Sequence, residues 1–279
     1  MLADKFNAFQ GEEHQPFTLD GGKPAALLVH GFPGSPAEMR PLAETIHEAG
    51  WTARVLLLPG FGADFENVIH RTCEDWVKAV RDELVTLQKQ YSPVVLIGHS
   101  MGGAISLKVA ATTPPDALVL TAPFWKVDHI AWKALPVIQI FFPQPKLFKY
   151  LNLDFDKQDV RDGIHNFLPN ADLDDPEVRD AIINFRVPVK MFAQIRRAGI
   201  AAHEVAPRVN APTLVIQGRR DELVKPAMTQ QFIKRIKGKV TYCEVDAEHD
   251  PILPSSTGWT STQEHVRTFL RQFEREGVS

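Results

Sequence analysis

The sequence predicts an α/β fold, a mostly parallel sheet with flanking helices and an inserted mainly helical cap, and three observations carry that prediction. Short apolar runs recur along the chain, helix-start signals stand between them, and the alternation breaks off once, between about residues 124 and 206. Runs of five or six mainly apolar residues, without regular polar alternation, suit strands buried on both faces of a parallel sheet. At 279 residues and 44% hydrophobic, the chain can bury one such core and still carry an insertion.

In chain order the runs are AALLV at 25–29, ARVLLL at 53–58, VVLIG at 94–98, ALVLT at 117–121, TLVIQ at 213–217 and VTYCEV at 240–245. After the second run, Thr72 and Asp75 form a capping-box-like start, and Trp76, Val80, Leu84 and Leu87 then share one helical face. Ser261 and Glu264 repeat the device ahead of Val266, Phe269, Leu270 and Phe273. The expected division is a core of residues 1–123 and 207–279 with residues 124–206 as the cap. From Phe124 to Phe192 stand 11 of the chain's 25 aromatic residues, which points either to a small core within the cap or to an apolar wall over a cleft. No internal repeat and no low-complexity segment is read along the chain.

Composition narrows the function classes. With 31 basic against 34 acidic residues and no clustered Lys/Arg stripe, a nucleic-acid partner is not expected. The start MLADKFNAFQGEEHQPFTLDGG lacks the basic and apolar regions of a secretory signal. Cys73 and Cys243 are the only cysteines, which suits a reducing cytoplasm. The longest apolar run, ALPVIQIFFP at 134–143, is shorter than the roughly 20 residues of a membrane span.

The chemistry is concentrated in VVLIGHSMGGAIS at 94–106, where GHSMG matches G-x-S-x-G directly after an apolar strand and before a small-residue helix. In so sharp a turn, side chains two positions either side of the serine would collide, so Gly98 and Gly102 leave Ser100 raised at the sheet edge. A serine hydroxyl needs a base, and the base needs an orienting carboxylate. With such an elbow the acid follows in the chain and the histidine comes last. Asp221 stands in RRDELV beyond one strand, and His249 in DAEHDP beyond the next. Asp246 and Asp250 are rivals for the acid; His99, next to the serine, is expected to point away from it, while His129, His165, His203 and His265 lie elsewhere. Oxyanion donors are expected from the backbone N–H groups of Met101 and of Phe32, in HGFPGSP after the first run.

The motifs LLVHGFPGSPAEMRPLAE, LLLPGFG, LIGHSMGG, LVIQGRRDELV and EHDP together resemble the α/β-hydrolase superfamily, and more narrowly its bacterial carboxylesterases and monoacylglycerol lipases. The resemblance implies the α/β-hydrolase fold, a Ser100–Asp221–His249 triad, an oxyanion hole at Phe32 and Met101, and a cap after ALVLTAP. It departs at Phe61, where a polar loop residue is common, and at Glu248, where a small one is. The expected activity is that of a serine carboxylic-ester hydrolase working through an acyl-enzyme on short- to medium-chain esters or monoacylglycerols. Thioesterase, lactonase, cofactor-free perhydrolase and non-catalytic ligand-binding roles are the alternatives. Phe124, Trp125, Phe192 and Val224 are the expected substrate contacts. The expected partner is a small-molecule ester, and neither metal nor organic cofactor is expected.

Overall fold

Seven strands pair into one sheet: β1 (Phe17–Leu19), β2 (Ala25–Val29), β3 (Thr52–Leu56), β4 (Val94–His99), β5 (Ala117–Thr121), β6 (Thr213–Gly218) and β7 (Val240–Val245). Their spatial order is β1-β3-β2-β4-β5-β6-β7. β1 pairs antiparallel with β3, and every other pairing is parallel. The structure, a computed structural model, describes residues 9–127, 132, 134, 146–149, 153–165, 171–184 and 189–274. The described helices are α1 (Pro36–Glu48), α2 (Cys73–Gln88), α3 (Met101–Ala110), α4 (Gln158–His165), α5 (Pro176–Ile183), α6 (Val189–Val205), α7 (Pro226–Ile233) and α8 (Trp259–Glu274).

Three predicted strands, β2, β5 and β7, begin and end with their apolar runs. β3 starts one residue early and stops at Leu56, leaving Leu57 and Leu58 in the following loop. β1 has only three residues, too few for a period of two to register. The Thr72 capping box forms as expected: Thr72 Oγ1 accepts the Asp75 N–H at 3.2 Å, and Asp75 Oδ2 accepts the Thr72 N–H at 2.8 Å. The Ser261–Glu264 signal is corrected, because α8 already starts at Trp259 and the Thr262 N–H reaches back to the Gly258 carbonyl at 2.9 Å. Ser256 takes the turn instead, its carbonyl accepting from Trp259 at 3.0 Å and its Oγ from Gly258 at 3.3 Å.

Alternate strand residues feed two apolar layers, as the pleat requires. Leu27, Val29, Val94, Leu96, Leu118 and Leu120 face one side with α2, α3 and α6. Ala26, Leu28, Val95, Ile97, Ala117 and Val119 face the other, against α1 and α8. β2 leads outward to β3, while β4 lies on its other side. The chain direction therefore switches between β2 and β4, and ligands of open α/β sheets bind at the C-terminal ends of strands beside such a switch.

Between β5 and β6, α6 packs back on the main core through Met191, Ile195, Ala198 and Ala202, whereas α4 and α5 enclose a cluster of their own. Contrary to the expectation of no internal repeat, this stretch holds a duplication. NLDFDKQDVRDGIHNF at 152–167 and NADLDDPEVRDAIINF at 170–185 agree at 9 of 16 positions with a shift of 18. In each copy the first aspartate accepts the N–H two residues on, Asp154 from Asp156 at 3.2 Å and Asp172 from Asp174 at 3.0 Å. The copies also grip each other reciprocally: Arg161 donates to both oxygens of Asp174 at 3.0 and 3.1 Å, and Arg179 to Asp156 at 3.2 Å. Phe155 and Leu173, at equivalent positions, are both buried in the shared cluster with Val178 and Ile182. Of the aromatics between 124 and 192, Phe141, Phe142, Tyr150, Phe167 and Phe185 lie outside the described residues.

Apolar packing and not the exposed ion pairs holds this double unit, since a buried Leu→Ala change costs about 2–5 kcal/mol and an exposed pair at most about 1 kcal/mol. Leu173→Ala is therefore expected to speed amide hydrogen exchange throughout α4 and α5, and Asp174→Ala to change it little. Equal effects would refute that account.

Candidate active site

β4 is buried to its last residue, and Ser100 then turns the chain into α3 with φ 49° and ψ −115°. A positive φ on a residue with a side chain costs free energy and persists only where neighbours enforce it. Here the Ser100 N–H donates to the Thr121 carbonyl at 2.9 Å, and its own carbonyl accepts from Phe124 at 3.0 Å and Ala104 at 3.2 Å. A Cβ at Gly98 would lie 2.5 Å from the Gly102 carbonyl oxygen, and one at Gly102 would lie 2.3 Å from that of Val29 and 2.4 Å from that of His30. Both glycines are thus required sterically, one against the turn itself and the other against the neighbouring strand.

The structure brings Ser100, His249 and Asp221 into one hydrogen-bonded line. Ser100 Oγ and His249 Nε2 are 2.9 Å apart, and His249 Nδ1 and Asp221 Oδ2 are 2.8 Å apart. Asp221 is buried and fully engaged: Oδ1 accepts the N–H groups of Leu223 at 2.9 Å and Val224 at 2.8 Å, and Oδ2 also accepts from Gln217 Nε2 at 2.9 Å. Gln217 is itself held by the Thr229 hydroxyl at 2.6 Å. With Asp221 taking the Nδ1 proton, Nε2 carries the lone pair that faces the serine hydroxyl. Of the rival carboxylates, Asp246 pairs with Arg220 and Asp250 with His99.

The loop after β2 lies across this line. His30 is fully buried; its Nε2 accepts the Leu58 N–H at 3.1 Å, so Nδ1 carries the proton and donates to the Gly31 carbonyl at 2.8 Å. Burial pushes its pKa down to about 4, against the pull of the Gly31 carbonyl. Phe61 fits this setting: it is fully buried, edge-on to His30 at 5.1 Å and to Phe32 at 6.2 Å, where a polar residue would lack partners. Phe32 stands in the loop, and Met101 opens α3, whose first N–H groups face outward from the helix end.

His99 points away from Ser100, as expected, into a group that sequence reasoning missed. Its Nδ1 lies 2.9 Å from Thr121 Oγ1, and its Nε2 lies 3.0 Å from Asp250 and 3.7 Å from Glu38. Burial opposes charge on His99, but Glu38 and Asp250 outweigh it and hold its pKa above the usual histidine value. Glu38 is raised by its own burial, whereas Asp250, despite burial, is held low by the His99 hydrogen bond and the nearby imidazole charges. Among the described residues, His99, His249 and Asp250 are close enough to be considered as metal ligands, and hydrogen bonds already engage all three.

The expected substrate contacts separate in space. Phe192 of α6 meets Phe32 of the loop after β2 edge-on at 5.7 Å. Phe124 follows the elbow's own hydrogen bond and packs against Trp132 at 5.6 Å. Trp125 stacks on His203 at 4.6 Å and Phe232 at 5.9 Å, with its indole N–H on the Met228 carbonyl at 3.2 Å. Val224 is fully buried, and its backbone clamps Asp221.

A family model described as "Serine aminopeptidase, S33" matches residues 22–250. A thermostable monoacylglycerol lipase of Bacillus sp. (strain H-257) is 35% identical over 113 residues, 40% of this chain and 44% of that protein. A carboxylesterase of Bacillus subtilis (strain 168) is 38% identical over 106 residues, 38% of this chain and 43% of that protein. The chain thus spans under half the length of these two curated relatives. A solved structure from work on "LipS and LipT, two metagenome-derived lipolytic enzymes" superposes with a TM-score of 0.70 at 20% identity, covering 94% of this chain and 98% of that one.

The neutral state of His30 has a consequence for stability. The unfolded chain protonates this side chain near pH 6.5, and the folded one only near 4. Its contribution is complete above pH 6.5 and falls by about 3 kcal/mol as the pH drops through that window. His30→Gln, which does not titrate, is expected to show a shallower loss of unfolding free energy between pH 6.5 and 4 than the wild type. Parallel pH profiles would remove His30 as the cause.

Proposed function

Because the chain belongs to the serine aminopeptidase S33 family of α/β-hydrolases, we propose that it hydrolyses carboxylic esters, short- to medium-chain esters or monoacylglycerols, through a covalent acyl-enzyme. The observation that carries this reading is the unbroken hydrogen-bond line from Ser100 through His249 to Asp221, at 2.9 and 2.8 Å. Ser100 Oγ attacks the ester carbonyl as His249 Nε2 takes its proton, and Asp221 holds the tautomer and stabilises the imidazolium. The tetrahedral oxyanion is received by the N–H groups of Phe32 and Met101. His249 returns the proton to the leaving alkoxide, and water, activated by the same imidazole, then releases the acid. The family description names a peptidase, and the ester reading follows the names of the two Bacillus relatives.

Residues 124–206 act as the cap in this reading, tethered through α6. Phe192, against Phe32, is the acyl-side wall nearest the reacting carbon, and Phe124 continues it beside the elbow. Trp125 and Val224 contribute from behind, the one by joining the cap to α7 and the other by holding the acid loop. The protein works in the cytoplasm, where the unpaired thiols of Cys73 and Cys243 persist. No helix among the described residues is long and apolar enough to cross a membrane.

The test uses chromogenic esters of increasing chain length with a serine-directed phosphonate. Ser100→Ala is expected to lose about 10⁶-fold in kcat and all labelling, and Asp221→Asn about 10⁴-fold, while Asp246→Asn retains activity. Each added methylene is worth about 0.8 kcal/mol until the pocket is full, so Phe192→Ala should shift the preferred chain length. A labelled residue other than Ser100, or a Ser100→Ala variant with wild-type turnover, overturns the assignment.

A further inference from the structure

Three side chains outside the catalytic line meet beneath it. His99 ends β4, Glu38 lies in the first turn of α1, and Asp250 lies in the loop after β7. His99 Nε2 faces Asp250 Oδ1 at 3.0 Å and Glu38 Oε1 at 3.7 Å, and the second Glu38 oxygen accepts the Gly31 N–H at 2.8 Å. Each member adjoins a group the reaction needs: His99 precedes Ser100, Asp250 follows His249, and Glu38 holds Gly31 immediately before Phe32.

The loop is pinned plane by plane. The peptide joining residues 30 and 31 is fixed through its N–H by Glu38, and the next peptide is fixed through its carbonyl by His30 Nδ1 at 2.8 Å. That second peptide carries the Phe32 N–H. The loop also has little room, since a Cβ at Gly31 would lie 3.2 Å from both Ser100 Cβ and His99 Cδ2. The Nε2–H of His99 reaches Asp250 in either charge state, and a second ring proton, on Nδ1 beside the Thr121 hydroxyl, sets a positive charge between the two carboxylates. The other titratable groups turned toward it are His249, with ring centroids 5.4 Å apart, Asp221 and His30.

We propose that Glu38, His99 and Asp250 are positioning residues, a side-chain clamp that ties the oxyanion loop, the nucleophile strand and the histidine loop into one register. The proposal rests on the catalytic reading given above. Glu38 sets the direction of the Phe32 N–H through Gly31, and Asp250 sets the approach of His249 to Ser100. The clamp touches no substrate atom, so its effect falls on the transition state and not on ester binding.

Glu38→Met and Glu38→Gln decide the matter, because both fill the site and only glutamine can accept the Gly31 N–H. Displacing a reacting group by about 1 Å costs on the order of 10²-fold, so Glu38→Met is expected to lower kcat roughly 10- to 100-fold with KM changed less than about 3-fold. Its affinity for a trifluoromethyl ketone, which adds to the serine as an oxyanion, should fall in parallel, and Glu38→Gln should recover most of both losses. A folded Glu38→Met variant with wild-type kcat, or a glutamine variant no better than methionine, overturns the clamp. Phosphonate labelling of wild-type Ser100 separates the two failures: a labelled, active wild type with an indifferent Glu38 defeats the clamp alone. An unlabelled, inactive wild type defeats the catalytic reading beneath it.

Discussion

Everything at the candidate site depends on the backbone of one residue. Ser100 holds a conformation that costs on the order of 1–3 kcal/mol, and strands on both sides of it enforce that conformation. β5 supplies the Thr121 carbonyl that anchors its N–H, and β2 passes so close that only glycine fits at position 102. The turn converts a strand into a helix within a single residue. The same geometry therefore raises the hydroxyl above the sheet and opens the N-terminus of α3 directly behind it, where the proposed reaction places an oxyanion.

The strain is sustained by the sheet around it, and this explains which parts of the fold were legible in the sequence. AALLV, ALVLT and VTYCEV read correctly to the residue because β2, β5 and β7 begin and end with their apolar runs. β1 did not register, having three half-exposed residues on one edge. The Ser261 signal failed because the Ser256 turn starts α8 earlier, an outcome of local hydrogen bonding that the pattern S-x-x-E cannot rank. The duplication at 152–167 and 170–185 lies in plain view, but it falls where the strand–helix alternation has already broken off, and its copies agree at only 9 of 16 positions. Its meaning emerges only when Arg161 meets Asp174 and Arg179 meets Asp156.

The line from Ser100 to His249 and Asp221 was legible for a physical reason. Each residue follows its own strand at the C-terminal edge, so order along the chain translates directly into neighbourhood in space. Glu38 and Asp250 obey no such rule. Glu38 is one of several charged residues in α1, and what distinguishes it is a distance to His99, a residue 61 positions away. Val224 shows the converse: it was expected at the substrate, and the structure gives its backbone N–H to Asp221 Oδ1.

Three histidines crowd one edge of the sheet, and their surroundings assign them three different duties. His30 packs on Phe61 and lends an acceptor to Leu58, and burial outweighs the opposing Gly31 carbonyl to keep it neutral. His99 is as deeply buried, but two carboxylates face its ring and reverse the outcome in favour of the proton. His249 has one buried carboxylate on Nδ1 and a hydroxyl on Nε2, the arrangement the proposed general base requires.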